Sequence, residues 1–419
     1  MISDLVDSPL YWLVFFGCWL VGLLATRARQ FDFNFVLLAV VSQYVAHIAV
    51  LYFTYGTLLE VLVFAVSFLV LYLISYHAAM AWPMPNIVLR SKDVRDMGRW
   101  WTQACKCYVI VYFGAKLATS PSWGGELDLA ERLSAQNENR MLFFIGFAVF
   151  PSLVGCMHDW VVRASRRSWL DRAVMIVLVA GLLGSSSKGA LLPLLLAYFG
   201  VVSAASLPSK GAGYVYGGLV VIASASVLVL LSMFPALDLT DVLYMMFYRV
   251  VANTDSMEYL HDTGLRPEDF PFAGPGALMP FAAKLFGYRF DYPAGVWLHG
   301  VRFGVWDGFG PNSGIVMDYY ANLGLWGMLA GALLGGYTGL LRRLGGPIGL
   351  SFLSIGYLAV VDLLMFEVAL CLCIGLLMLC LLAFAIQHSL LSRGSRGAHA
   401  ESDRVRTALA PASASEGLA

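Results

Sequence analysis

Lys188, Arg249, His299, Arg302 and Asp318 are ionisable residues in a chain where charge is scarce. Lys188 stands in "GLLGSSSKGALLPLLLAYFG", between two apolar runs. A lysine beside serine hydroxyls and the first-turn amides of a following helix makes an anion site. The same stretch also reads as a polar hairpin turn whose lysine reaches lipid headgroups. Arg249 lies in "LTDVLYMMFYRVVANTDSMEYLHDTG", where Leu243, Met246, Phe247 and Val250 mark one side of an amphipathic helix and Arg249 and Asn253 another. His299 and Arg302 lie in "YPAGVWLHGVRFGVWDGFG", with Trp297 and Trp306 among the glycines. Guanidinium ions grip phosphate bidentately, and aromatic faces interleaved with polar groups suit sugar rings. The alternative is an interfacial segment with Trp and Tyr at headgroup depth. Asp318 follows in "GPNSGIVMDYYANLG", with Asn312, Tyr319 and Asn322 around it. Asp318 and Asn322 share a helix face, and a carboxylate that far inside an apolar helix needs a cavity or a partner. The set supplies cations for an anionic leaving group and a carboxylate or imidazole for proton transfer.

The elements that must position these groups are membrane spans. Of 419 residues, 59% are hydrophobic and 13% charged, and the mean hydropathy is +0.73. A soluble domain carries about a quarter charged residues. The pattern is that of an all-α polytopic integral membrane protein with about eleven spans, at 9–26, 32–53, 58–80, 101–119, 141–162, 173–186, 189–206, 214–234, 313–341, 347–366 and 368–389. A membrane barrel would show alternating segments of roughly ten residues instead. Zero net charge suggests no nucleic-acid partner. The acidic start "MISDLVDSPLYW" lacks the basic region of a signal peptide, so the first run is expected to stay as a span.

Arginines and lysines follow the odd-numbered runs, as at Arg90–Arg99, Arg163–Arg172 and Arg342–Arg343. The positive-inside rule then puts the N-terminus outside and the C-terminus inside. Residues 120–140 and 235–312 become external, and the second is one long loop with short amphipathic helices. A connection of that length is more often functional than idle. In this topology Lys188, Arg249, His299, Arg302 and Asp318 share the outer level, with His47 and Lys116 in the outer halves of their spans. Residues 1–390 form a single membrane domain, and 391–419, rich in Ala, Ser, Gly and charge, is expected to be a disordered cytoplasmic tail.

Gly327, Gly331, Gly335 and Gly339 recur every four residues in the ninth run, a face that lets another helix approach closely. The seven cysteines fall in apolar runs and read as small buried hydrophobes. Cys105-x-Cys107 and Cys371-x-Cys373 each lack a second ligand pair in sequence, so no metal is expected. No glycine-rich phosphate loop is visible, and no cofactor is expected.

With these segments in place, the chain resembles the bacterial O-antigen polymerases of the Wzy type, relatives of the O-antigen ligases. The likeness rests on "GSSSKGALLPLLL", "FYRVVANTDSMEYL" and "GPNSGIVMDYYANLGLWGMLAGALLGG", and covers most of 170–345. Where the family commonly has a turn arginine, this chain has Lys188, which keeps charge but loses the bidentate fork. The resemblance implies a glycosyltransferase of the inner membrane with its site facing the periplasm. Its donor would be a glycan on undecaprenyl diphosphate, its acceptor a sugar hydroxyl of another lipid-linked repeat, with inversion and no metal. It implies Arg249 and Arg302 on the diphosphate, Lys188 in support, and Asp318 or His299 as base. Asn312, Tyr319, Asn322, Trp297 and Trp306 would be sugar contacts, and a chain-length-determining co-polymerase a possible partner. A ligase passing glycan to lipid A-core would use the same donor, and His299 keeps that alternative open. A flippase is the alternative of another class, but it would place ionisable groups near mid-membrane and show internal repeats.

Overall fold

The computed structural model describes residues 5, 7–27, 33–83, 91–119, 140–162, 168–184, 191–204, 238–270, 294–306, 311, 314–361 and 363–408. Among these residues the regular structure is entirely helical. The helices are α1 (Pro9–Thr26), α2 (Phe33–Tyr55), α3 (Leu59–Ala81), α4 (Ser91–Thr119), α5 (Arg140–Gly146), α6 (Val149–Val162), α7 (Trp169–Gly184) and α8 (Leu191–Ala204). They continue with α9 (Leu239–Val251), α10 (Ser256–Thr263), α11 (Ala294–Phe303), α12 (Gly314–Leu323), α13 (Leu329–Leu344), α14 (Gly346–Val361) and α15 (Leu363–Ala408). Three-residue 3₁₀ turns join α9 to α10 at Ala252–Thr254 and follow α10 at Pro267–Asp269. A longer one, Gly324–Met328, separates α12 from α13.

Six segments among the described residues are long and apolar enough to cross a membrane: Pro9–Thr26, Phe33–Tyr55, Leu59–Ala81, Met141–Val162, Gly314–Leu344 and Met365–Gln387. The sequence pattern predicts about eleven. Several of the other expected spans are shorter or more charged among the described residues. Helices α7, α8 and α14 have 16, 14 and 16 residues, short of the roughly 20 a bilayer core needs. Helix α4 starts in the charged stretch "SKDVRDMGR" and carries Lys106 and Lys116. The expected span 214–234 lies outside the described residues, as do loop residues 271–293 and 307–310. The described part of the long loop does hold short helices, α9, α10 and α11. The last helix runs to Ala408, into the segment expected to be irregular from 391. Its Ala, Arg and Glu residues favour a helix, and the first proline after the apolar run is Pro411.

Three hydrophobic clusters organise the described residues, two large and a small one that joins α1, α2 and α9 through Tyr11, Phe15, Val50 and Val251. The first large core joins α2, α3, α10, α12 and α13 through residues such as Leu38, Phe64, Met257, Ile315 and Leu334. The second large core joins α4, α6, α7, α8, α14 and α15 through Trp101, Val154, Val174, Val201, Ile355 and Cys373. In the first core the glycine stripe packs α13 on α3. A Cβ on Gly331, Gly335 or Gly339 would fall within 3.0 Å of the carbonyl oxygen of Phe68, Tyr72 or Tyr76. Backbone thus meets backbone, with no room for a side chain between them. Hydrogen bonds fix the register: Thr338 Oγ1 donates to Tyr72 Oη (3.1 Å), and Arg342 Nη1 to Tyr76 Oη (3.0 Å). Tyr72 in turn donates to Asn34 Oδ1 on α2 (3.3 Å).

All seven cysteines are free; Cys105, Cys156, Cys373 and Cys380 are buried as expected, Cys18 is half-buried, and Cys107 and Cys371 are exposed. Those two sit on outward faces of their helices, so sequence hydropathy alone misplaces them in the core.

Candidate functional site

The long loop reaches the first core through α10 and α11. Met257 and Leu260 insert among Tyr44, Ile48 and Leu51 of α2, and Leu298 of α11 joins them. This anchoring buries polar side chains of the loop against α2. Thr254 and Ser256 are fully buried and Glu258 nearly so.

Tyr44 is the pivot of the junction. It is 1% exposed, and its hydroxyl lies near Ser256 and senses the carboxylates of Asp318 and Asp255. It also lies against Gly314, whose φ is +57° and whose Cβ would overlap the phenol oxygen. Only glycine fits there, which starts α12 beside Tyr44 and sets Asp318 one turn further along. The Asn322 side-chain amide donates to the Asp318 carbonyl oxygen at 2.7 Å. The shared face expected for Asp318 and Asn322 is therefore realised through the main chain. Tyr319 is half-buried, 6.3 Å from the Phe68 ring.

One turn after Tyr44, His47 is fully buried. Its Nδ1 lies 2.8 Å from Thr254 Oγ1. Thr254 Oγ1 donates to the Val251 carbonyl at 3.0 Å. A second such pair, Thr57 Oγ1 and His261 Nδ1 at 2.8 Å, ties the α2–α3 turn to α10.

Arg302 and His299 lie on α11 against α10. Arg302 Nη2 pairs with Glu258 (3.6 Å) and with Asp262, and its guanidinium sits 4.3 Å above the Tyr259 ring. Burial raises the Tyr259 hydroxyl, with Arg302 opposing. The His299 ring stacks on Tyr259 at 6.1 Å and meets Phe303 at 4.9 Å. Arg302 is thus committed to two carboxylates, and a phosphate would have to displace them. Trp297 and Trp306 meet at 5.1 Å, with Trp306 folded over Gly300 and 43% exposed. They form an aromatic shelf at the edge of the junction.

The structure brings together Tyr44, Asp318, Tyr319 and Asn322, and separately His299, Arg302, Trp297 and Trp306; α11 touches α12 and links the two groups. Lys188 and Asn312 lie outside the described residues, and of Arg249 only the helix backbone in α9 is described.

Sequence reasoning missed a cluster in the second core. Lys106 of α4 is 1% exposed and pairs with Asp159 of α6 (2.5 Å) and Asp171 of α7 (2.6 Å). Asp171 also accepts from Trp160 Nε1 (2.8 Å) and from the amide (2.7 Å) and hydroxyl (3.0 Å) of Ser168. Burial alone would raise the Asp171 carboxyl, but Lys106, Trp160 and Ser168 outweigh it and hold it at about 2. The sequence signal was a lone lysine inside an apolar run. Its carboxylate partners lie on other helices, so spacing could not show the pairing. Trp160 also lines an apolar cavity of about 470 Å³ with Met157, Leu178, Leu194 and Tyr198.

No family model matches the chain, and comparisons with curated proteins and with solved structures find no significant match.

Proposed function

We propose that the protein polymerises undecaprenyl-diphosphate-linked oligosaccharide repeats into a surface polysaccharide, at the periplasmic face of the bacterial inner membrane. The observation that carries this reading is the junction of the long loop with α2 and α12. There a polar constellation of Tyr44, His47, Thr254 and Ser256, all buried, with the half-buried Asp318 near Tyr44, lies in the same core as an exposed aromatic shelf. A sugar needs a shelf of that kind beside groups that move protons. The reaction forms a bond from an acceptor hydroxyl to the donor's anomeric carbon and expels the lipid diphosphate. Cations must meet the charge that develops on the leaving group. Arg249 and Lys188 fill that role, and Arg302 joins it only by exchanging Glu258 and Asp262. Asp318 and His299 are the carboxylate and imidazole on the loop side available to the attacking hydroxyl. The bilayer is the medium for both lipid-linked substrates, and a co-polymerase that sets chain length is the expected protein partner.

The test is a gel of surface polysaccharide from a strain lacking the protein. Collapse of the ladder to core plus one repeat is expected. Bare core with long glycan accumulating on undecaprenyl diphosphate would make it a ligase. Bare core with no external lipid-linked sugar would make it a transporter, and an unchanged ladder would refute all three.

A further inference from the structure

His47 is held in one tautomer. The hydroxyl of Thr254 has a single proton and donates it to the Val251 carbonyl, so toward His47 it acts as acceptor. The Nδ1 of His47, 2.8 Å away, must then carry its proton, which leaves the lone pair on Nε2. That Nε2 is buried and has no hydrogen-bond partner among the described residues. One turn earlier on the same face, Gln43 presents Oε1, also buried and without a partner there. A buried acceptor left unpaired costs stability. Two of them, one turn apart on α2, ask for hydroxyl donors.

We infer that His47 is the proton acceptor of the site, with Thr254 as its positioning residue and Gln43 as an acceptor for a neighbouring sugar hydroxyl. This rests on the proposed glycosyl transfer and replaces Asp318 and His299 as the base. The attacking hydroxyl loses its proton to His47 Nε2 as its oxygen bonds the anomeric carbon. The bond from that carbon to the diphosphate oxygen breaks, and its electron pair leaves with the diphosphate.

The experiment is steady-state elongation of undecaprenyl-diphosphate-linked repeats by the full chain in proteoliposomes. His47→Asn keeps an amide N–H where Nδ1–H stood and removes Nε2. Its kcat falls by at least about 100-fold, while KM for the acceptor stays within about twofold. Thr254→Val frees the tautomer and lowers kcat with KM unchanged, and Thr254→Ser restores it. Full kcat in His47→Asn overturns the inference. Should that variant fail to accumulate, Thr254→Val decides: wild-type kcat there overturns it equally. Wild-type protein that elongates nothing refutes the polymerase reading itself, whereas an active wild type with an active His47→Asn refutes only the role of His47.

Discussion

The two large cores treat buried polar groups in opposite ways. In the core of α4, α6 and α7, charges close on one another: Lys106 meets two carboxylates, and both oxygens of Asp171 are occupied. In the core of α2, α10 and α12, acceptors are left open among the described residues, as at His47 Nε2 and Gln43 Oε1. A cluster of paired charges joins helices, its cation already held by two carboxylates. An open one costs stability for as long as it is empty, and such costs gather at functional sites. The contrast separates a brace from the proposed reaction site more sharply than residue type does, because both cores hold ionisable residues.

The largest expected effect breaks the brace. Lys106→Met leaves the Asp159 and Asp171 carboxylates buried side by side without their cation, and loses about 3–5 kcal/mol. Thermal unfolding of the detergent-solubilised protein and its level in the membrane read the loss. Adding Asp159→Asn and Asp171→Asn to Lys106→Met recovers much of it, which a catalytic triad would not allow for activity.

Next comes the glycine stripe of the first core. Gly335→Val drives a side chain into the Tyr72 carbonyl and costs about 1–3 kcal/mol or more, since backbone has to move. Gly375→Ala, with open space around its Cβ, stabilises by up to about 1 kcal/mol. Equal melting temperatures for the two variants would contradict the α3–α13 contact.

The brace also has a pH signature. Asp171 is held at about 2 against an ordinary 3.8. A depressed carboxylate stabilises the fold above its ordinary value, and that contribution is lost as the pH falls through its folded value. About 2 kcal/mol should therefore disappear between about pH 4 and pH 2. Asp171→Asn should flatten that part of the stability profile.

The smallest effect belongs to the shelf. Trp306→Ala should raise KM for the acceptor about tenfold, or about 1.4 kcal/mol, with kcat little changed. A fall in kcat with KM unchanged would place Trp306 in the chemistry rather than in binding.

Much of the scaffold was legible in the sequence, because hydropathy over 20 residues and a four-residue glycine repeat are local signals. The stripe at Gly327–Gly339 and the helical nature of the α9–α10 stretch came from local signals; α11, among glycines, prolines and aromatics, was not singled out as a helix. What escaped was set by contacts distant in sequence. His47 and Thr254 are 207 residues apart, and Lys106 and Asp159 are 53 apart. Arg302 read as a free cation because Glu258 and Asp262 sit on another helix. Six of the expected spans are helices long and apolar enough to cross a membrane among the described residues; an apolar run shows hydropathy without showing where its helix ends, and 214–234 lies outside those residues.

The central claim is that this protein lengthens lipid-linked glycan. The most direct measurement supplies undecaprenyl-diphosphate-linked repeats to the purified protein in proteoliposomes and follows product size over time. A ladder that grows by whole repeats is the predicted result. Labelled lipid that crosses the bilayer at constant size would contradict it and make the protein a transporter.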